Sequence, residues 1–465
     1  MNNDTRPKTR RATGVPALVV LAAGQLLSAV GTRMTNFALA VYVYDKTGSA
    51  TQLTTLSLCA VLATVVFSPL AGVLVDRWSR RLTIMLSDLG SLAVTAVLLL
   101  LFATGQIYVW ELYVTNLLTG ALLAFQMPAY MSVISTIVDK KNYPRASAIF
   151  SITRSAPTVI APGVAAAVLA TVGIEAILAV DTLSYAVAVA TVFFVAFPAT
   201  QPSARHGIAD LLQQTVFGFR YIWKSSAMRS LETVQFLTIL LSGFGAVLIT
   251  PFILARTGDV AKVGLVSSIG AVGGIFGALL VSALRPTPRK VRRMLAGTLV
   301  LGVLGRAVFG FADSVLAWSF AWTVTWFCLP FVNSYGHAIW QEKLDPAIQG
   351  RIFATRQLIE GIGVPISFGI AGPLADHVFE PQMRPGHVLG NVFGSLLGTT
   401  PGSGMALMYV LTGALLAVVA VAGFSVPSVR DVEVVVANFE ESTEGPVAAV
   451  NPKASQDKAV KKAEV

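Results

Sequence analysis

Asp88, Arg154, Arg33, Asp181, Arg306 and Glu360 are charged side chains set inside long apolar stretches. A charge at mid-helix in hydrocarbon costs about 2.5 kcal/mol or more, so each needs a partner or a cavity. Burial disfavours the charged form of a carboxyl and brings proton exchange within reach of neutral pH. Glu360, Asp181 and Asp88 are therefore proton-coupling candidates, in that order. At ~1.5 Å per residue, Asp88 lies about 9 Å and Arg154 about 14 Å from one face of the membrane. Opposite signs at similar depth allow them to pair. Arg33 is a candidate substrate or coupling residue, or alternatively a partner for Asp181, which lies about 12 Å from the opposite face. Glu360 is the deepest acid, about 14 Å in, and Arg306 lies about 8 Å in on its helix. Glu111 and Glu175 sit near helix ends and are expected to reach water there.

Other chemistries find no residues to carry them. No serine, cysteine or carboxylate constellation for hydrolysis is present. No Gly-Lys-Ser/Thr phosphate loop occurs, so ATP is not the expected energy source and no enzyme activity is expected. Cys59 and Cys328 stand alone in apolar runs, and His206, His337, His377 and His387 are scattered. No metal and no cofactor is expected from them.

The elements that must position these residues are membrane helices. The 465 residues are 54% hydrophobic and only 12% charged. A soluble domain carries about twice that charge, so a lipid bilayer is the expected solvent. Apolar runs near 15–44, 52–75, 82–103, 108–138, 145–170 and 173–197 each suffice to cross a bilayer, as do 229–255, 260–284, 292–311, 315–340, 351–374 and 402–426. The first is too long for a signal-peptide core. The pattern predicts an all-α membrane protein of twelve transmembrane helices in two six-helix halves. Its expected parts are an amino-terminal segment (1–13), a first half (14–197), a central linker (198–228), a second half (229–426) and a disordered tail (427–465). Within the linker, 208–223 predicts an amphipathic helix on the membrane surface.

The net charge is +10, yet the basic residues gather at the ends of apolar runs. That is membrane topology and not a nucleic-acid surface. Alternate turns carry Arg77, Arg80 and Arg81; Lys140, Lys141 and Arg145; Arg285, Arg289, Lys290, Arg292 and Arg293; and Lys343 and Arg351. The opposite turns hold little beyond Lys46, Arg256, Lys262 and Arg384. Both termini are thus expected in the cytoplasm.

Between the second and third runs lies the turn Gly72-Val-Leu-Val-Asp76-Arg77-Trp-Ser79-Arg80-Arg81. So short a turn makes its helices antiparallel, and so dense a charge cluster marks the water-facing side. Its order closely resembles the loop signature of the major facilitator superfamily, with Ser79 where that family usually has Gly. Arg154-Ser-Ala-Pro157 and Ala161-Pro162-Gly163 in the fifth run resemble the helix-five motif of its proton-coupled antiporters, with Ala161 in place of a Gly. Gly24-Gln25-Leu-Leu-Ser28, Tyr44-Asp-Lys-Thr47-Gly48, Ile339-Trp340-Gln341 and Gly372-Pro373-Leu-Ala-Asp376 look like the drug-exporter branch with macrolide efflux proteins and enterobactin exporters. The second half repeats the first weakly, Gly277 to Lys290 echoing Gly72 to Arg81.

The resemblance implies a secondary transporter of the bacterial plasma membrane that exports a hydrophobic or amphipathic small molecule by proton-coupled alternating access. Such a cavity lies between the two halves at mid-membrane. The Gly72, Asp76, Arg77, Arg80, Arg81 turn would then be a gate, locking the outward-facing arrangement by contacts between the second and eleventh helices near Arg351 and Arg356. Gln25, Arg33, Gln126, Trp326 and Asn333 are candidate cavity residues, with Phe125, Met127, Tyr130, Trp322 and Phe327 as apolar lining. The expected partners are a small-molecule cargo, protons and lipid, with the protein a monomer. Two alternatives stand: a dedicated siderophore, peptide natural-product or lysolipid exporter, and a transport-inactive sensor or scaffold. The run 376–401, rich in Gly and Pro, is expected as a long outer loop.

Overall fold

A computed structural model describes residues 14–195, 208–430 and 432–435. The expectations for 1–13, for 198–207 with His206, and for 436–465 lie outside the described residues. Twelve of the described helices are long and apolar enough to cross a membrane. They are α1 (Gly14–Thr47), α2 (Ala50–Arg77), α3 (Arg80–Ala103), α4 (Val109–Ile137), α5 (Tyr143–Thr171) and α6 (Ile174–Phe194). The linker forms α7 (Ile208–Lys224). Then come α8 (Ser226–Thr257), α9 (Val260–Ala283), α10 (Lys290–Phe311), α11 (Val315–Lys343), α12 (Pro346–Gln382), a short α13 (Val388–Leu397) and α14 (Ser403–Ser425). All lie within a few residues of the predicted runs, except the far end of α12.

The starts of these helices are written in the sequence. Ser49, Ser79, Ser225, Asp259, Ser314 and Asp345 are N-cap residues whose side chains accept a hydrogen bond from the first turn. Each satisfies a backbone N–H that hydrocarbon would leave orphaned. Ser79 receives Leu82 N at 3.3 Å, which gives the departure from Gly in that turn a physical purpose. Gly258 ends α8 at φ 63°, a left-handed conformation that a side chain disfavours.

Helices α1 to α6 pack together: α1 against α5 and α6, α3 against α4 and α6, and α2 against α4. The later six do likewise, α11 lying on α9 and α10, and α8 on α12 and α14. Glycines let these helices approach. A Cβ at Gly120 would meet the Ala60 carbonyl, and one at Gly273 the Thr323 carbonyl. Between the two groups the largest contacts are α2 with α12 and α5 with α9, with smaller ones of α1 and α2 on α8. The end holding the start of α1 and the finish of α14 is called the terminal face here, and the other the distal face.

The α2–α12 contact is graded. At the distal side a Cβ on Gly372 would collide with Thr54 and Thr51. Further in, one on Gly369 would reach Leu58 at 3.5 Å, and one on Gly361 would reach Val65 at 3.9 Å. At the terminal side Gly72 and Gly350 face open space. The two helices therefore part toward the terminal face like a wedge.

Two expectations are corrected. The stretch 376–401 is not a long loop, since α12 continues to Gln382 through a π-helical turn, Ala375–Phe379, and α13 follows. Its polar residues stay helical because neighbouring helix ends use them. Glu380 receives Gly402 N at 3.2 Å and Met405 N at 3.0 Å, capping α14. The tail also starts later than 427. Helical turns Pro427–Arg430 and Val432–Val435 bury Val429 and Val432 in an apolar cluster with Val291 and Ile339. Glu433 accepts from Lys290 N, and Lys343 Nζ donates to the Glu433 carbonyl at 2.6 Å.

Gly273→Val drives a branched side chain into the Thr323 backbone, an overpacking cost of about 1–3 kcal/mol. Its unfolding midpoint in detergent should fall, followed by size-exclusion chromatography after heating. Gly350→Ala, placed in open space, should not lower it.

Candidate functional site

The buried carboxyls lie in both groups of six helices, Asp88 and Asp181 in the first and Glu232 in the second. Asp88 on α3 is fully buried. Gln25 Nε2 donates to its Oδ2 at 3.0 Å and Gln126 Nε2 to its Oδ1 at 2.5 Å. Gln126 also donates to Gln25 Oε1 at 3.1 Å. Asp181 on α6, 1% exposed, accepts from Thr35 Oγ1 at 2.8 Å and from Thr32 Oγ1 at 3.4 Å. No basic side chain bonds either carboxyl among the described residues.

The pairs Asp88–Arg154 and Asp181–Arg33 are therefore corrected. Both arginine side chains are accessible to solvent, and neither bonds an acid among the described residues. Arg33 follows Thr32 by one residue, about 100° around the helix, so it cannot share the face that meets Asp181. It lies in the field of Arg154, whose guanidinium is 5.8 Å from the Phe150 ring. Gln25 and Gln126, expected in the cavity wall, have their amides committed to Asp88.

The second cluster centres on Arg356 of α12, 5% exposed. Its Nε bonds Glu232 Oε2 at 2.8 Å, and its Nη2 bonds Glu360 Oε1 at 2.5 Å and Gln235 Oε1 at 2.9 Å. Trp340 Nε1 donates to the same Gln235 oxygen at 3.0 Å, and the guanidinium lies 4.6 Å from the Trp340 ring. One cation thus stands between two carboxylates, leaving one negative charge over when all three are ionised. Arg356, near which the α2–α3 turn is expected to lock, is held inside the second group in the arrangement described. Glu232 escaped sequence analysis because it lies three residues past Arg229 and reads as a helix end. An acid three residues ahead of Gln235 on one helical face was the available signal.

Arg306, 2% exposed, lies on a π-helical turn, Leu301–Ala307. It donates to the Ser242 carbonyl at 2.7 Å and lies 5.1 Å from the Trp322 ring and 5.9 Å from Tyr409. Glu360 keeps a 26% exposed side chain, so it is the acid of its cluster that meets water. Trp326 packs toward α9, where a Cβ on Gly274 would meet it at 3.4 Å. Asn333 is exposed, one turn from His337, which stacks on Phe353 at 4.4 Å.

The distal face is clasped across the two groups. Asp376 of α12 accepts from Ser49 Oγ at 2.6 Å, Ala50 N at 3.0 Å and Thr51 N at 2.8 Å, capping the start of α2. A carboxylate there also meets the positive end of the helix dipole. Gly163 N, beside the hydrogen bond that Pro162 cannot make, donates to Ser268 Oγ of α9 at 2.8 Å. Pro157 is buried within α5. The helix-five motif thus lies at the meeting of the two groups. In the α2–α3 turn, Arg81 lies 5.4 Å from the Phe193 ring, while the side chains of Asp76 and Arg77 lie outside the described ones.

Residues 21–368 match the family model of the Major Facilitator Superfamily. The chain is 23% identical to Macrolide efflux protein A of Streptococcus pyogenes over 370 residues, covering 77% of this chain and 88% of that one. It is 24% identical to the Multidrug efflux pump Tap of Mycolicibacterium fortuitum over 372 residues, 78% and 89% of the two chains. To the Enterobactin exporter EntS of Shigella flexneri it is 25% identical, over 52% of this chain and 61% of that one. Among solved structures it resembles a bacterial homologue of the human lysosomal transporter Spinster, described as inward-facing and unoccupied. The TM-score is 0.68 at 14% identity, covering 90% and 98% of the two chains.

Arg356→Gln leaves Glu232 and Glu360 facing each other without a cation, a loss of about 3–5 kcal/mol when both stay ionised. Thermal stability in detergent should drop, and adding Glu232→Gln should restore part of it, as a double-mutant cycle reads directly. Asp376→Ala removes a cap of about 1 kcal/mol, or roughly fivefold in an equilibrium. Spin-label distances between positions 46 and 378 should show a larger population with the distal face apart.

Proposed function

The chain belongs to the major facilitator superfamily, and from that premise we propose that it exports a hydrophobic or amphipathic small molecule across the bacterial plasma membrane, driven by inward proton flow. Both termini then lie in the cytoplasm, the distal face lies outside, and the arrangement described is the inward-facing one. The basic turns support this orientation, since Arg80, Arg81, Arg285, Arg289 and Arg351 all flank the terminal face. The protein acts as a monomer.

The observation that carries the reading is the wedge between α2 and α12. Their contact is tight where Asp376 clasps α2, whereas a Cβ at Gly72 or Gly350 would meet nothing within 4 Å. Two helix groups joined at one end only have a natural partner state, joined at the other. The charged turn from Gly72 to Arg81 then closes on the start of α12. Cargo enters between the groups from the cytoplasm, beside Arg33 and Arg154, and leaves after the distal clasp opens. The names of similar proteins, for macrolide efflux, multidrug efflux and enterobactin export, support small-molecule export.

Proton coupling rests on carboxyls whose charge no cation balances. Asp88 has only amide partners, and Glu232 and Glu360 share a single arginine. Loading a proton at either place removes an uncompensated buried charge, and such charges are costly. That change in cost couples protonation to the exchange between the two states, because a ligand shifts an equilibrium only through differential affinity.

The test is transport in proteoliposomes under an imposed pH gradient, with ethidium and erythromycin side by side. Cargo should accumulate, and a protonophore should collapse it. Glu360→Gln and Asp88→Asn should each lower gradient-driven accumulation at least tenfold. Folded protein that moves neither these cargoes nor a siderophore, a peptide or a lysolipid would overturn the export reading.

A further inference from the structure

A line of polar side chains crosses the interior of the first six helices, among α1, α3 and α6. It begins at Asp88, held by Gln25 and Gln126. One turn on along the same face of α3 stands Ser91, 3% exposed. Ser91 stands beside the Tyr185 hydroxyl of α6. Tyr185, on α6, shares a hydrogen bond of 2.7 Å with Thr32 Oγ1 on α1. Thr32 in turn donates to Asp181 Oδ1 at 3.4 Å. Asp181, Tyr185, Thr32, Thr35, Asn116 and Thr115 border one cavity whose free space is about 10 Å³, room for about one water.

We propose that the coupling proton moves inside the amino-terminal helix group, between Asp88 and Asp181, through the hydroxyls of Ser91, Tyr185 and Thr32. The proposal rests on the proton-driven reading above and assigns that proton a path separate from the cargo. The protonated Asp88 carboxyl gives its proton to the Ser91 oxygen, and Ser91 releases its own to Tyr185. Tyr185 passes one to Thr32, and Thr32 passes one to the Asp181 carboxylate. Each hydroxyl ends with the proton count it began with. Asp88 is left as a carboxylate and Asp181 becomes a carboxylic acid, so the net event is one proton moved. The step covers about 10 Å along the membrane normal, one turn from Asp88 to Ser91 and one from Tyr185 to Asp181.

The surroundings favour a path over a static bond network. The titratable groups facing Asp88 are Tyr130 of α4 and Tyr185 of α6, and the one facing Asp181 is Tyr185. From α1 only Gln25, Thr32 and Thr35 reach the two carboxyls. Among the described residues no cation bonds either acid, whereas Glu232 and Glu360 share Arg356. The donors along the line are hydroxyls, which both give and accept a proton. Gln126 is the half-buried member, so it is the side chain between Asp88 and water.

Tyr185→Phe keeps the ring and removes the hydroxyl that stands between Ser91 of α3 and Thr32 of α1. In proteoliposomes with ethidium, three quantities are read: exchange at equal pH, accumulation under a pH gradient, and proton flux by an internal pH dye. The expected result is exchange within about twofold of wild type, with accumulation and cargo-coupled proton flux both reduced at least tenfold. Wild-type accumulation and proton flux in Tyr185→Phe would overturn the path. Should that variant fail to insert, Thr32→Ser and Thr32→Val decide: Ser keeps the hydroxyl and should retain coupling, while Val should lose it, and equal coupling in both would overturn the path. Wild-type protein that carries ethidium under a sodium gradient but not a pH gradient would overturn the proton reading itself, with export intact. Wild-type protein that carries no cargo at all would instead strike the export reading.

Discussion

In hydrocarbon a polar group has no water to turn to, and every donor and acceptor must find its partner within the protein. That constraint shapes each level of this structure. It forces the backbone into helices, whose internal bonds satisfy their own amides. It puts a serine or aspartate at helix starts, where amides are left over, as Ser79 and Asp259 are placed. It also explains why the buried acids do not stand alone. Asp88 takes two amides, Asp181 two hydroxyls, and Glu232 and Glu360 one shared arginine.

The same constraint joins the two helix groups. Asp376 spends its carboxylate on the first amides of α2, across the boundary between the groups. A bond of this kind serves as a clasp because its loss leaves a helix start uncapped, a modest cost of about 1 kcal/mol. A covalent or deeply packed joint would hold one state permanently. A capping bond lets the joint open when another term of similar size, such as a bound cargo or a gained proton, favours the other arrangement. The wedge between α2 and α12 adds the geometry, since contact that fades from Gly372 to Gly361 gives a hinge a side to close.

The two charge clusters differ in kind, and the difference suits different work. Around Arg356 a guanidinium stacked on Trp340 sets two carboxylates in place. Breaking that set exposes a bare charge, so it braces the second group. Around Asp88 and Asp181 only neutral partners are present, and the bonds that hold these acids are the modest ones of amide and hydroxyl. Their state can change without dismantling the packing of α1, α3 and α6.

Sequence alone determined the number of spans and nearly all their limits, because apolar length and the N-cap residues are local signals. It determined the turn from Gly72 to Arg81, and it marked Asp88, Asp181, Glu360 and Arg306 as charges in need of partners. Tertiary structure alone decided who those partners are. Arg154 and Asp88 have opposite signs at similar depth, yet depth along a helix does not say which way a side chain faces, and Arg33 turns away from Asp181 for the same reason. Glu232 stayed hidden because a carboxyl near a helix end looks solvated until a neighbouring helix covers it. Asp376 read as part of a loop, since its helical state depends on the α2 amides it caps, more than three hundred residues earlier in the chain. Periodicity and composition are properties of one segment, and so they are legible in order along the sequence. A pairing depends on the rotation of two helices about their axes, which only the packing of the whole bundle fixes.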